Sequence, residues 1–361
     1  MSVAEPLSAD QKLSPLLDVQ GLSVRFHLGG MALGAVNGVD FQLALGETLC
    51  LLGESGSGKT VTMRALIRLL PPTAHITGRI VLDGIDVMAL GADRLREIRG
   101  TKVSMIFQDP MTALDPVFTI GGQIAEIVVS HEGLSQSAAR GRALELLDLV
   151  QIPSARLRLD SYPHELSGGL RQRAMIALAL SCRPKLLLAD EPTTALDATV
   201  QIQVLLLLRE LQRELGMATM FVTHDLGVAC EVADRVAVMS AGHFVETGPI
   251  TDVIDTPKHP YTIGLLNSTV HAGTQKGRLT PIPGAPPRSG RYAAGLCLFT
   301  ALFTVNTRLQ PANSRIDRHR TGSTGSVPSN KRIGNRLTGG PWKTIRGGHR
   351  RVAAKYGAGS S

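Results

Sequence analysis

The spacing of apolar and polar positions changes period several times along the chain, and each change marks an element. Leu17-Asp18-Val19-Gln20-Gly21-Leu22-Ser23-Val24-Arg25-Phe26 alternates and predicts a strand, and Ala35 to Leu45 predicts another. The apolar run Leu49-Cys50-Leu51-Leu52 reads as a strand that leads through a glycine-rich stretch into the helix-like segment Val61 to Ile67. Gly78 to Gly84 continues the β character, and Lys102 to Phe107 is a short buried strand that ends at Gln108. From about Thr119 to Arg158 the spacing turns helical, with Ile120, Ile124 and Ile127 followed by Leu144, Leu146, Leu147, Leu149 and Val150. This predicts a helical insertion between two halves of an α/β sheet.

In the second half, an apolar helix over Ala174 to Leu180 precedes the strand Leu186-Leu187-Leu188-Ala189, which delivers Asp190 and Glu191. Val200, Val204, Leu207, Leu208 and Leu211 keep one helical face apolar, and the strand Met220 to Thr223 ends at His224. Such alternation argues for a mostly parallel sheet with helices on both faces. In sheets of that kind the ligand sits at the carboxyl ends of the strands, where Gly53, Gln108, Asp190 and His224 all fall.

The stretch between the third strand and its helix is Gly53-Glu54-Ser55-Gly56-Ser57-Gly58-Lys59-Thr60. A strand that turns through glycines into a helix N-terminus leaves several backbone N–H groups aimed where a polyphosphate can sit. Lys59 reaches the terminal phosphates, and the Thr60 hydroxyl suits a Mg²⁺ ion. Hydrolysis of a γ-phosphate then needs charge neutralisation, an in-line water and a base. Asp190, closing an apolar strand, is placed to hold Mg²⁺ with Thr60, directly or through water, and Glu191 is the natural general base. Gln108 suits γ-phosphate sensing or the metal shell, and His224 suits a hydrogen bond to the γ-phosphate. Singly these last two are weak signals, because a histidine after a strand more often caps it.

Composition limits the partners. The formal charge is +8, but residues 301–361 hold 12 Lys or Arg against Asp317 alone, which leaves the first 300 residues at −3. The basicity is therefore confined to the tail, and scarce aromatics disfavour a base-stacking platform for single strands. The cysteines at 50, 182, 230 and 297 stand far apart, as in a reduced cytosolic protein rather than a disulfide framework or zinc site. Met1 to Pro6 lacks the pattern of a signal peptide, and no apolar run approaches the ~18 residues a membrane span needs. From about 271 Pro, Gly, Thr and Arg dominate, and beyond 300 the pattern reads as disordered.

Leu166-Ser167-Gly168-Gly169-Leu170-Arg171-Gln172-Arg173 resembles the signature motif of ATP-binding cassette (ABC) proteins. With it the whole set falls in order: Gly53 to Thr60 resembles the Walker A loop, Gln108 the Q-loop, Leu186 to Asp190 the Walker B strand with Glu191 after it. Ala195-Leu196-Asp197 resembles the D-loop, His224 the switch histidine, and Phe26 is similar in position to the aromatic that stacks on adenine. The resemblance implies a P-loop NTPase cassette with a RecA-like core, an antiparallel β subdomain and a helical subdomain. It implies ATP and Mg²⁺ as ligands, and a second cassette, identical or related, whose Ser167-Gly168-Gly169 equivalent completes each ATP site.

Three further stretches resemble the dipeptide/oligopeptide and nickel importer branch: Gln108 to Pro116, Tyr162 to Leu166 and Thr256 to Thr262, with Pro281 to Pro287 similar to its Pro-rich segment. The implied organisation is a nucleotide-binding domain over residues 1–270 with a helical subdomain at about 109–165, an importer-type segment at 271–299, and a basic tail at 300–361. After Cys297 the likeness stops, since the branch often continues with closely spaced cysteines, and the tail reads as frame-shifted or degenerate. The branch implies an ATPase at the cytoplasmic face of the inner membrane, docked on two permease subunits and served by a periplasmic substrate-binding protein, with no direct nucleic-acid contact. Two competitors stay open, a soluble ABC ATPase acting on nucleic acid or ribosomes and a remnant transporter subunit.

Overall fold

The computed structural model describes residues 14–28, 31–194 and 196–268. Ala195, the segment Pro281 to Pro287, Cys297 and the basic tail lie outside the described residues. The chain begins with β1 (Leu17–Leu28), β2 (Met31–Leu43) and β3 (Thr48–Leu52), then α1 (Lys59–Leu66), β4 (Ala74–Leu82), β5 (Ile85–Asp86), α2 (Ala92–Thr101) and β6 (Val103–Ile106). The helical stretch holds α3 (Pro110–Ala113), α4 (Ile120–Glu132), α5 (Gln136–Leu149) and α6 (Ala155–Arg158), followed by α7 (Gly168–Ala179). Then come β7 (Leu186–Asp190), α8 (Ala198–Leu215), β8 (Ala218–Thr223), α9 (Leu226–Val232), β9 (Arg235–Ser240), β10 (His243–Pro249), α10 (Ile250–Asp255) and α11 (Pro260–Ser268).

Two sheets result. One is four-stranded and antiparallel, in the order β2-β1-β4-β5; the other is six-stranded, in the order β10-β9-β3-β8-β7-β6. In the second sheet β9, β3, β8, β7 and β6 run parallel, and only β10 is antiparallel to its neighbour. The strands β3, β7 and β8 are buried at every position, which explains why they read as unbroken apolar runs.

Period-two alternation sorts these strands into two cores. Leu49, Leu51, Leu186, Leu188, Met220, Val222, Ala237 and Met239 face one side and pack with Met63 and Leu66 of α1 and with the four-stranded sheet. Cys50, Leu52, Leu187, Ala189, Phe221, Val236 and Val238 face the other, against α4, α5, α7, α8 and α9. The predicted stripe on α8 is seated there through Val204, Leu207, Leu208 and Leu211. The helical insertion is cut into pieces by its caps: the Thr119 hydroxyl accepts the Gly122 N–H at 3.2 Å to start α4, and Gly133 in a left-handed conformation ends it.

Several pieces were not anticipated from the pattern, α2 and the β9–β10 hairpin among them. α2 presents only Leu95 and Ile98 to the core, too few apolar positions to stand out among its charges. The β9–β10 hairpin turns at Ala241 and Gly242, both at positive φ, without the Asn-Gly or Asp-Gly pair that advertises such a turn.

A charge cluster clasps the two sheets together. Asp83, in the turn after β4, accepts hydrogen bonds from Lys102 and, at 2.9 and 3.0 Å, from Lys185, the residues just ahead of β6 and β7. These two ammonium groups hold the Asp83 carboxyl below the ordinary aspartate range. A carboxyl so lowered stabilises the fold fully above its unfolded value and loses that contribution as pH falls through the folded one. Asp83→Asn is therefore expected to lower unfolding free energy by about 1 kcal/mol at pH 7, a figure reduced for solvent screening, and by much less near pH 3. Urea titration at the two pH values checks this; equal losses at both would remove the electrostatic account.

Candidate nucleotide-binding site

The C-terminal end of β3 runs into the glycine-rich loop and then α1, as the strand–loop–helix pattern requires. Gly53 and Gly58 adopt φ of 157° and 109°, and a side chain at either would strike backbone. A Cβ on Gly58 would stand 2.5 Å from the Ala35 carbonyl oxygen, and one on Gly53 would run into the Met239 carbonyl. The loop is also tied from outside: the Gly242 N–H donates to the Ser57 carbonyl at 2.9 Å, and the Glu54 N–H donates to the Tyr261 hydroxyl at 3.2 Å. Gly242 in turn accepts the Asn37 N–H at 2.9 Å, so β2 and the β9–β10 turn brace the loop together.

Lys59 is 5% exposed, and its ammonium donates to the carbonyls of Gly53 and Glu54 at 2.8 and 2.7 Å. Burial pulls its pKa down, while Glu191 and Asp190 nearby oppose the shift. The Thr60 hydroxyl donates to Asp190 Oδ1 at 2.7 Å. Asp190 is buried, which pushes its carboxyl up against the pull of Thr60 and Arg64; its Oδ2 makes no hydrogen bond, and Arg64 lies 3.7 Å away. A hydroxyl and a buried carboxylate side by side, one carboxylate oxygen without a hydrogen-bond partner, form a hard-oxygen set that fits a magnesium ion.

Glu191 holds the site's other side. It sits just past β7 at φ 45°, a left-handed conformation that is strained for a residue with a Cβ. Its Oε2 accepts from the Thr194 hydroxyl at 2.9 Å and the Gln108 amide at 3.3 Å, and its Oε1 lies 3.1 Å from His224 Nδ1. Two sequence-distant residues, delivered by the ends of β6 and β8, thus converge with nearby Thr194 on one carboxylate at the end of β7. The cavity they share with the loop has a volume of about 650 Å³ and is lined by Gly53 to Gly56, Gly58 to Val61, Gln108, Glu191, Thr194 and His224. Ala35 and Leu265 complete its wall. The size suits a mononucleotide.

Some anticipated residues lie elsewhere. Phe26, half-buried on β1, packs against the four-stranded sheet's core and does not line the cavity. Ser167, Gly168 and Gly169 are also outside it: Ser167 caps α7, its hydroxyl accepting the Leu170 N–H at 3.4 Å, and Ser167 and Gly168 are exposed. Leu265 was missed by sequence reasoning, because nothing in a short helix signals contact with a loop two hundred residues earlier.

Comparison with known proteins gives this geometry a family. Residues 36–194 match the model of the ABC transporter family, and residues 245–301 match that of the oligopeptide/dipeptide transporter C-terminal region. The oligopeptide transport ATP-binding protein OppD of Bacillus subtilis (strain 168) is 48% identical over 280 residues, 76% of this chain and 78% of that protein. A protein of Brucella abortus (strain 2308) that carries the name of a peptide import ATP-binding protein is 50% identical over 294 residues, 81% of this chain and 88% of its own. Among solved structures, the dimeric ATP-binding cassette MJ0796 bound to ADP and Pi superposes with a TM-score of 0.59 at 29% identity, covering 65% of this chain and 98% of that one. CbiO1 of Clostridium perfringens, part of the ABC transporter complex cbiONQ, gives 0.57 at 28% identity, with 67% and 92% covered. The chain belongs to the ABC transporter family as an ATP-binding cassette.

Packing explains the second signature glycine. A Cβ on Gly169 would stand 2.7 Å from Val200 Cγ1 in the first turn of α8, and a β-branched side chain on a helix has little freedom to swing away. Gly169→Ala is expected to destabilise the fold by about 1–2 kcal/mol through overpacking, and Val200→Ala in the same chain to recover most of that loss. Denaturant midpoints of the two single variants and the double variant measure the coupling; additive losses would contradict the contact.

Proposed function

We propose that this chain is the ATP-hydrolysing subunit of a bacterial importer of di- or oligopeptides, peripheral at the cytoplasmic face of the inner membrane. The observation that carries the reading is the convergence of Gln108, Thr194 and His224 on Glu191, beside the Thr60–Asp190 pair and the Lys59 loop. The peptide branch is supported by the match over residues 245–301 and by the names of the relatives.

In this mechanism the N–H groups of Gly56 to Thr60 cradle the phosphates and Lys59 leaves its two carbonyls for the β- and γ-phosphate oxygens. Thr60 and Asp190, with Gln108, would hold a magnesium ion, which when bound neutralises phosphate charge. Glu191 takes the proton of the water that attacks the γ-phosphorus in line, and His224 hydrogen-bonds a γ-phosphate oxygen. Phe26, outside the phosphate cavity, would meet the adenine only where the base projects beyond it. The outward Ser167-Gly168-Gly169 terminus of α7 serves the nucleotide of a second cassette, so ATP bridges the pair and its hydrolysis releases them.

Two permease subunits and a periplasmic binding protein complete the assembly. A groove of about 260 Å³ beside the Gln108 strand, walled by Ile67, Leu69, Phe107, Ile127, His131 and Met175, offers a permease segment an apolar seat. No helix among the described residues is long and apolar enough to cross a membrane.

Glu191→Gln is expected to bind ATP as tightly as the parent while turnover falls about 10²- to 10⁴-fold. Equilibrium binding and phosphate release on the same preparations test this. The transport reading is tested by reconstitution with its permeases, where a peptide-loaded binding protein should stimulate ATPase activity. Stimulation by nucleic acid with no membrane association would overturn it.

A further inference from the structure

The first peptide of the glycine-rich loop is gripped at both ends. Its carbonyl, on Gly53, accepts the Lys59 ammonium at 2.8 Å, and its N–H, on Glu54, donates to the Tyr261 hydroxyl at 3.2 Å. Tyr261 belongs to α11, far along the chain and inside the region that matches the peptide-transporter C-terminal model rather than the cassette model. One turn further on, Leu265 lines the nucleotide cavity itself. Tyr261 is 4% exposed, and burial pushes its phenol up, so the hydroxyl stays protonated and available to accept the amide proton.

The helix is seated independently of the loop. Glu246 on β10 accepts the backbone N–H groups of Lys258 and His259 at 2.8 and 3.1 Å, and His259 Nδ1 accepts the Tyr261 N–H at 3.1 Å. Burial lowers the His259 pKa against the pull of Glu246, which keeps the imidazole neutral and able to accept. A continuous hydrogen-bonded chain therefore runs from β10 through the 258–259 turn and Tyr261 to the peptide on which the loop lysine rests.

We infer that Tyr261 is a positioning residue for the phosphate loop, and that through it the C-terminal region sets the chain's affinity for ATP. When phosphate draws Lys59 off the Gly53 carbonyl, that peptide loses one of its two anchors. The tyrosine hydroxyl is then what keeps the plane from rotating and the loop's N–H groups aimed at the nucleotide. The effect falls on binding rather than on the chemical step, because the hydroxyl touches neither the phosphates nor the carboxylate that takes the proton. The inference rests on the ATPase reading above.

Tyr261→Phe keeps the buried ring and removes the hydroxyl. In the full chain, ATP affinity is expected to fall about 2- to 10-fold, the loss of one neutral hydrogen bond. KM for ATP should rise by the same factor with kcat within twofold, while the melting temperature without nucleotide stays close to that of the parent. ATP titration, steady-state ATPase kinetics and thermal melts on the same samples supply the three readouts. Parent-like affinity in the variant, or a loss of kcat with KM unmoved, would overturn the positioning role. So would an affinity loss accompanied by a matching drop in nucleotide-free melting temperature, which would mark general loosening. Failure of the parent chain itself to bind ATP would instead sink the ATPase reading and this inference with it.

Discussion

A loop that offers most of its N–H groups to a polyanion can use few of them to hold itself in shape, here only that of Ser57 on the Glu54 carbonyl. That constraint governs the molecule. Gly53 to Thr60 is kept open by bonds from the outside, with Gly242 on the Ser57 carbonyl, Tyr261 on the Glu54 amide, and the backbones of Ala35 and Met239 pressed so close that only glycine fits beneath them. The sheet order follows the same need. With β3 in the interior between β9 and β8, the loop emerges flanked by the strand ends that carry His224 on one side and the Ala241–Gly242 turn on the other.

The charged groups around the loop are arranged on the same logic. Lys59 and Glu191 each satisfy themselves on neighbours, the lysine on two carbonyls and the glutamate on Gln108, Thr194 and His224. The two carbonyls that hold Lys59 are neutral, so phosphate oxygens can take their place without leaving a buried charge stranded. Glu191 reaches its position with a left-handed backbone, a conformation that costs free energy for a residue with a Cβ.

Much of this was legible in the residues. Strands buried on both faces write themselves as apolar runs, and β3, β7 and β8 were visible for that reason, as were Gly53, Asp190 and His224 at their ends, with Gln108 just past the short β6. The stripe on α8 was visible because a wide apolar face repeats at helical spacing. What stayed hidden was held by contacts without a local signature. α2 is anchored by two apolar side chains, the β9–β10 turn uses Ala241 where an Asn or Asp would have announced it, and Tyr261 and Leu265 meet the loop only because the chain returns to it. The antiparallel β subdomain came from family likeness, since alternation predicts strands and not their pairing.

The placement of β3 also bears on the order in which the protein is built. Its partners are β8 and β9, with Leu49 opposite Met220 on one side and Arg235 on the other, so the strand that carries the loop has no neighbour to pair with until most of the chain has left the ribosome. The four-stranded sheet closes from nearby pairings and can form early, whereas the phosphate cradle depends on the most distant contacts in the fold. A nascent chain halted before β9 therefore carries the whole glycine-rich motif without the strand that pairs with β3 on one side, and the capacity to take up nucleotide arrives long after the motif itself has been made.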